Sequence, residues 1–461
     1  MNIYSHSKPG GAGSLASWRR ESTALAALAV PIALTMLSHI AMVTTDVVMM
    51  GWLGPRALAA GALANHYYWL LDMGAMGLLG SLAAILAQHI GARRFRMVRR
   101  AVRQGFWVAI VVAIPCLVAM WHSGAVLGAL GQDAVLAAMA QDYLRHLSPG
   151  FVPLLGYIVV ASFMTAHGRP RPSMVLAIIG IFVNGIADYA LMFGNFGFPD
   201  MGLAGAGLSS AVVAILMFIG LATYALTDRR LRRYRLLGRF WRPDWAQFWE
   251  IFTVGLPIGI AALAGIGLFA AAALLMGLLG TEQLAAHAIA VQCCAIAYMI
   301  PNGISRAATV RVGWATGAGD HRAAARSGWT ALGLGCLVMC LPAAAFWLLG
   351  PAIVALFLEG EAATAGIAVG FLAVAAIFQF ADGAQVTMMG ALRGLKDTTV
   401  PMLIAVLGYG GLGLPAAAYF GIHLGLGGQA IWAGMAVGLF VVSALFVARF
   451  RRQTRRAITG M

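Results

Sequence analysis

Long uninterrupted apolar stretches, each about 20 residues and so able to cross a bilayer as a helix, alternate along the chain with short polar connections. The pattern predicts twelve spans, over residues 24–51, 58–88, 104–128, 146–167, 173–194, 202–226, 250–279, 284–314, 328–349, 366–391, 399–420 and 428–449. The expected fold class is therefore an all-α polytopic membrane protein.

One stretch organises the rest. Residues 31–54, PIALTMLSHIAMVTTDVVMMGWLG, carry a single carboxylate, Asp46. An ionisable side chain inside a membrane helix costs roughly 2.5–3.5 kcal/mol at the helix centre, so it marks a candidate site. Shifted by 226 positions, the stretch lands on LPIGIAALAGIGLFAAAALLMGLLG: Pro31 meets Pro257, Gly51 meets Gly277 and Gly54 meets Gly280, whereas Asp46 meets Ala272. The same offset pairs Leu58, Ala59 and Ala60 with Leu284, Ala285 and Ala286, Gly91 with Gly317, Arg100 with Arg326, and Gly168 with Gly394. An offset held across four helices marks an internal duplication. With six spans in each half, the halves share an orientation, and two pseudo-symmetric six-helix lobes follow. The expected domains are an amino-terminal tail (1–23), an amino lobe (24–227), a linker (228–249), a carboxy lobe (250–449) and a basic tail (450–461). The linker is polar, basic and Trp-rich, which suits the membrane interface. Duplicated halves that rock around a substrate held between them point to a transporter.

Composition sharpens this picture. At 61% hydrophobic and 10% charged residues in 461, a soluble chain could not hide its apolar surface. The formal net charge of +15 raises the question of a nucleic-acid partner. Its distribution answers it: 27 of the 31 Lys and Arg fall on one face, from Lys8 through the run of residues 229–242 to Arg456. The opposite connections hold Arg56 and Arg145 beside Asp133, Asp142, Asp200, Glu282, Glu359 and Glu361. The positive-inside rule then places both termini in the cytoplasm, and topology explains the charge without nucleic acid. The polar amino terminus lacks an apolar signal core, so the first helix is expected to be retained. The five Cys all sit in apolar runs and read as buried hydrophobes. Enzyme motifs such as GxxxxGK[ST], HExxH and GxSxG do not occur.

Four acids fall inside the predicted spans: Asp46, Asp72, Asp188 and Asp382. Asn184 and Asp188 are four apart and share a helix face. Counting along the helices at about 1.5 Å per residue puts Asp46 and Asp188 at similar depth, so the two can meet. Two carboxylates in one dry pocket cannot both ionise cheaply. Such a pair holds a proton near neutrality and releases it when water or a cation arrives. Together with Asn184 and the hydroxyls of Thr44, Thr45, Ser209 and Ser210, the pair could instead form an oxygen cage for Na+, with Asp46, Asn184 and Asp188 as the metal ligands. Gln379, Asp382 and Gln385 mark a candidate cavity in the second half; Asp72, after Tyr67, Tyr68 and Trp69, belongs either to a substrate-cavity wall or to an aromatic belt in the first. Pro31 is expected to bend the first helix. Arg306 and Arg311, in the eighth span, either pair with an acid or snorkel.

These stretches, with LLGTEQLAAHAIAV, ATVRVGWATGAG and FQFADGAQVTMMGALRGLKDT, resemble the MATE (multidrug and toxic compound extrusion) family, and within it the NorM branch, over residues 24–449. The resemblance implies two six-helix lobes around a V-shaped cavity and export of cationic amphipathic drugs in exchange for H+ or Na+. Asp46 matches the family's first-helix aspartate, Asn184 and Asp188 its helix-five pair, and Asp382 its tenth-helix aspartate. Asp at 188 is similar to the DinF-like and archaeal pattern. Gly265 stands where NorM relatives usually carry Glu, which shifts the expected coupling site to the amino lobe and favours H+. The expectation is a multidrug antiporter of the bacterial inner membrane, multi-pass and monomeric. It uses no cofactor beyond the coupling ion; its partners are cationic drugs or dyes and the lipid bilayer. A lipid-linked precursor flippase would need a strongly cationic cavity, and only Arg306 and Arg311 fall inside the spans.

Overall fold

Among the described residues of the computed structural model, twelve helices are long and apolar enough to span a bilayer. They are α1 (Ala16–Trp52), α2 (Pro55–Gly91), α3 (Phe95–Trp121), α4 (Ala134–Ala166), α5 (Arg171–Phe193), α6 (Leu203–Thr227), α7 (Trp245–Leu279), α8 (Thr281–Gly317), α9 (His321–Leu348), α10 (Ala363–Gly394), α11 (Thr399–His423) and α12 (Gly428–Thr459). The structure describes residues 15–234, 236, 238, 241–358 and 362–460. Lys8, Arg235, Arg239, Glu359 and Glu361 therefore lie outside the described residues. No strand occurs among those described.

Several ends differ from the sequence expectation. The tail expected over 1–23 is already helical from Leu15. α4 begins at Ala134, well before the expected 146, because the amphipathic stretch AVLAAMAQDYLRHL reads as a polar connection. Its Ala137, Ala140, Leu144 and Leu147 are buried at helical spacing. Asp133 caps it, with one carboxylate oxygen accepting from the backbone N–H of Val135 and Leu136 at 3.0 and 3.1 Å. Asp142 and Arg145, expected in a loop, thus lie on a helix. α3 stops at Trp121, and a separate short helix, Ser123–Ala129, follows it. α7 starts at Trp245 and absorbs the last five residues of the expected linker. α11 widens into π-helical turns over Leu407–Gly413 and Tyr419–His423. α1 continues unbroken through Pro31.

The duplication is visible in the backbone. Gly54 and Gly280 precede α2 and α8 with φ of 110° and 124°, a conformation that L side chains rarely adopt.

The chain divides into two compact units, Leu34–Gly259 and Met1–Ala33 with Ile260–Met461. The two cuts, after Ala33 and after Gly259, are again 226 positions apart. Compared with the lobes expected over 24–227 and 250–449, the units exchange the opening segments of α1 and α7. In the unit completed by residues 260–461, Gly303 of α8 faces α1; a Cβ there would lie 2.7 Å from the Ala33 Cβ and 2.9 Å from the Ala29 carbonyl. Leu25, Leu28, Ala29 and Ile32 bury against Ile304, Ala307, Ala308 and Ala331. In the Leu34–Gly259 unit, Gly77 lies against the Gly259 backbone and Gly255 against that of Leu78. These are the same contacts moved by the repeat, and small residues permit both close crossings.

Polar ties reinforce each crossing. The buried Glu21 receives two 2.6 Å hydrogen bonds from Arg311, Nε to Oε1 and Nη2 to Oε2, and a third from Ser327 Oγ at 2.6 Å. At the matching position, Gln247 meets the His89 imidazole at 3.2 Å. Glu21 was expected in the tail; it is a buried member of α1 instead. Arg311 pairs with an acid, the first of the two readings offered for it.

The crossings make a test. Gly303→Val forces a side chain into the α1 backbone, whereas Gly74→Val meets nothing within 4 Å. Overpacking costs about 1–3 kcal/mol or more. We expect Gly303→Val to lose most monodisperse protein in size-exclusion chromatography and Gly74→Val to keep it; equal yields would show that the crossing tolerates bulk.

The segment before α7 folds onto the Leu34–Gly259 unit. Asp228 pairs with Arg169 at 2.7 Å, Arg103 donates to the Gly238 carbonyl at 2.8 Å, and Tyr234 is buried among Phe95, Phe163 and His167. Trp241, Trp245 and Trp249 stay exposed, as interfacial tryptophans do.

Candidate functional site

The site sits inside the Leu34–Gly259 unit, where α1, α5 and α6 meet. Gly180 and Gly185 open one face of α5 toward Met42 and Thr45 of α1. Gly205 and Gly207 of α6 lie against the backbones of Leu191 in α5 and Tyr143 in α4. These close approaches bring together Asp46, Asn184, Asp188, Ser209 and Ser210.

Asp46 is 6% exposed, and Asn184, Asp188 and Ser209 are fully buried. Asn184 Nδ2 donates to Asp46 Oδ1 at 3.0 Å and Ser210 Oγ donates to Oδ2 at 3.1 Å. Ser209 Oγ lies 3.5 Å from Asn184 Nδ2 and 3.4 Å from the Asn184 backbone oxygen. The carboxyl groups of Asp46 and Asp188 interact electrostatically in this pocket. Two carboxylates buried side by side repel each other, and one proton taken up by the pair relieves that repulsion. Both Asp188 oxygens and Asn184 Oδ1 are buried with no donor among the described residues. The centre of the cluster is thus rich in acceptors, suited to a proton or a hard cation.

The expected hydroxyl cage is only half present. Thr44 and Thr45 turn their hydroxyls back to the carbonyls of Ile40 and Ala41, at 2.9 and 3.0 Å, and Thr44 is exposed. A helical threonine satisfies itself on the preceding turn, and nothing in the sequence reveals which choice it makes.

Tyr143, a residue sequence reasoning passed over, lies beside both acids and donates to Asn65 Oδ1 at 3.1 Å. Recognising α4 as starting at Ala134 would have placed it inside a span. Tyr68 interacts electrostatically with both Tyr143 and Asp72, and Asp72 is buried with Oδ1 unsatisfied.

Asp382, Gln379 and Gln385 are all buried in the other unit, on α10. Gln379 Nε2 donates to Cys294 Sγ at 3.8 Å, and Asp382 neighbours Cys294, Tyr298 and Tyr409. Gly265 faces Tyr409, with 3.7 Å between a Cβ there and the ring. Residue 265 is a glycine and offers Asp382 no second carboxylate.

Twelve spans duplicated over two halves, with ionisable groups buried within them, define a polytopic membrane transporter. Comparison with known proteins makes that specific. The MatE family model matches residues 31–190 and 257–419. A protein of Mesorhizobium japonicum described as "Probable multidrug resistance protein NorM" is 43% identical over 446 residues, covering 95% of this chain and 96% of that protein. A protein of Brucella suis with the same description is 41% identical over 441 residues, covering 94% of each. Among solved structures, the eukaryotic MATE transporter AtDTX14 matches with a TM-score of 0.84 at 20% identity, covering 95% of this chain and 98% of that one. The chain belongs to the MatE family and is a transporter, not an enzyme.

Proposed function

We propose that the protein is an antiporter that exports cationic, amphipathic drugs and dyes in exchange for H+ by alternating access. It acts as a monomer in the bacterial inner membrane, with both termini and the basic face in the cytoplasm. One observation carries the reading: Asp46 and Asp188 are buried together and interact electrostatically, so the two cannot both be charged cheaply. The close relatives described as multidrug resistance proteins support the class of substrate.

In the outward-open state a proton enters the pair and its negative charge falls. Affinity for a cationic passenger falls with it, and the drug leaves. After the turn inward, the proton departs to the cytoplasm and the restored charge favours the next cation. Asn184 and Ser210 hold Asp46 in place throughout, so the pair changes charge without reorganising. The membrane potential adds about 2.3 kcal/mol per 100 mV for each net charge moved. A second reading, Na+ coupling, rests on the orphaned oxygens of Asp188 and Asn184. With Asp46 they would supply carboxylate and amide oxygens to the ion.

Dye transport in inverted vesicles decides between them. We expect transport under an imposed pH gradient and none under an imposed Na+ gradient alone. Transport driven by Na+ alone would replace the proton with Na+, and no response to either gradient would sink antiport.

A further inference from the structure

We propose that Arg306 and Arg393 form a binding site for a phosphate-class oxyanion, either the headgroup of an anionic lipid or free phosphate. The site belongs to the unit of Met1–Ala33 and Ile260–Met461, apart from the Asp46 cluster. It does not rest on the transport reading.

The two arginines emerge from one helix crossing. Gly390 of α10 lies so close to Ser305 of α8 that a Cβ would strike its backbone. Thr309 Oγ1 donates to the Gly390 carbonyl at 2.8 Å, and Gly394 lies against Thr309 and Val312. Arg306 follows Ser305 and Arg393 precedes Gly394, so both arginines leave the backbone beside the same contact. Both interact electrostatically with Tyr298, and with each other.

Neither pairs with a carboxylate among the described residues. Among the described residues, Arg393 Nη2 meets only Met389 Sδ, at 2.7 Å, and the Nε of each arginine is buried without an acceptor. The neighbouring acids are committed elsewhere: Glu21 to Arg311, and Asp397 to Arg449 at 2.7 Å. Asp382 is eleven positions from Arg393 along α10, about 16 Å. Both arginine side chains are only half-buried, so their outer donors face space that protein acceptors do not fill.

Two guanidinium groups that cannot deprotonate need a counter-anion. Their planar forks match the oxygens of a phosphate, which can accept from both at once. Depth agrees: α10 ends at Gly394, directly after Arg393, on the face that carries the basic connections. Basic pockets between spanning helices at that level accept anionic headgroups. A cationic drug has no reason to enter.

The purified full-length protein tests this in two arms. Native mass spectrometry from mixed phosphatidylglycerol and phosphatidylcholine nanodiscs reads the lipid. Thermal melting against inorganic phosphate, with chloride holding ionic strength constant, reads the free anion. We expect at least one arm to show saturable binding that weakens about tenfold or more in Arg306→Gln/Arg393→Gln. Arg322→Gln, outside the pair, should retain it. Phosphatidylglycerol retention identifies the lipid, and a phosphate response alone identifies the free anion. The proposal is overturned if the parent protein shows neither effect, or if the double variant binds as well as the parent. Should the double variant fail to fold, Arg306→Lys keeps the charge but loses the fork, and unchanged affinity there also overturns it.

Discussion

Asp46→Asn is expected to reduce drug efflux to the level of cells lacking the transporter, while the protein still inserts and purifies normally. Asparagine has the shape of the acid and can still accept a hydrogen bond from Asn184, which donates to Oδ1 at 3.0 Å in the parent. The bond from Ser210 to Oδ2 is lost or reversed, at a cost of about 1 kcal/mol. That is too little to unfold the unit. What disappears is the group's ability to change charge, so the pair can neither bind and release a proton nor alter its attraction for a cation. The measurement is ethidium efflux beside immunodetection of membrane-inserted protein. Parental efflux in this variant would remove Asp46 from the mechanism, and loss of the protein itself would assign it a structural role.

The second large effect is expected away from the transport site. Arg311→Ala strips Glu21 of both its guanidinium bonds and leaves a carboxylate, 8% exposed on its side chain, with Ser327 alone. Removing one partner of a buried ion pair costs about 3–5 kcal/mol, much of it from the stranded charge. We expect a large fall in melting temperature and yield. The double variant Glu21→Gln/Arg311→Met strands no charge and should recover most of that loss. If Arg311→Ala melts like the parent, the pair does not hold α1 in its unit; if the double variant is no better than the single, contacts other than charge are at stake.

How much of this was legible follows from what a hydropathy pattern encodes. It reports which residues avoid water, so twelve spans emerge, and the repeat supplies their pairing, down to the matching turns at Gly54 and Gly280. Asp46, Asn184 and Asp188 were visible because ionisable and amide groups are rare in such runs. Their meeting was inferable from depth and helix face. The rest depended on partners. Glu21 looked like part of a polar tail because Arg311, which lies far along the chain, is what allows a carboxylate to be buried there. Thr44 and Thr45 seemed available because their bonds to the preceding turn leave no trace in the sequence. The opening half of α4 was missed because its apolar face alternates with Gln141, Asp142 and Arg145. The exchange of helix beginnings was also hidden, since periodicity shows that a face is apolar but not which neighbour covers it.

That exchange bears on how the chain is made. The opening of α1 leaves the ribosome first, yet its cover, the surface around Gly303, Ile304 and Ala331, is synthesised some three hundred residues later. Until then Glu21 lacks Arg311 and Ser327, and the opening of α1 lacks the apolar surface that covers it. A gene split between the halves should therefore give two products that are each short-lived when made alone and long-lived when made together.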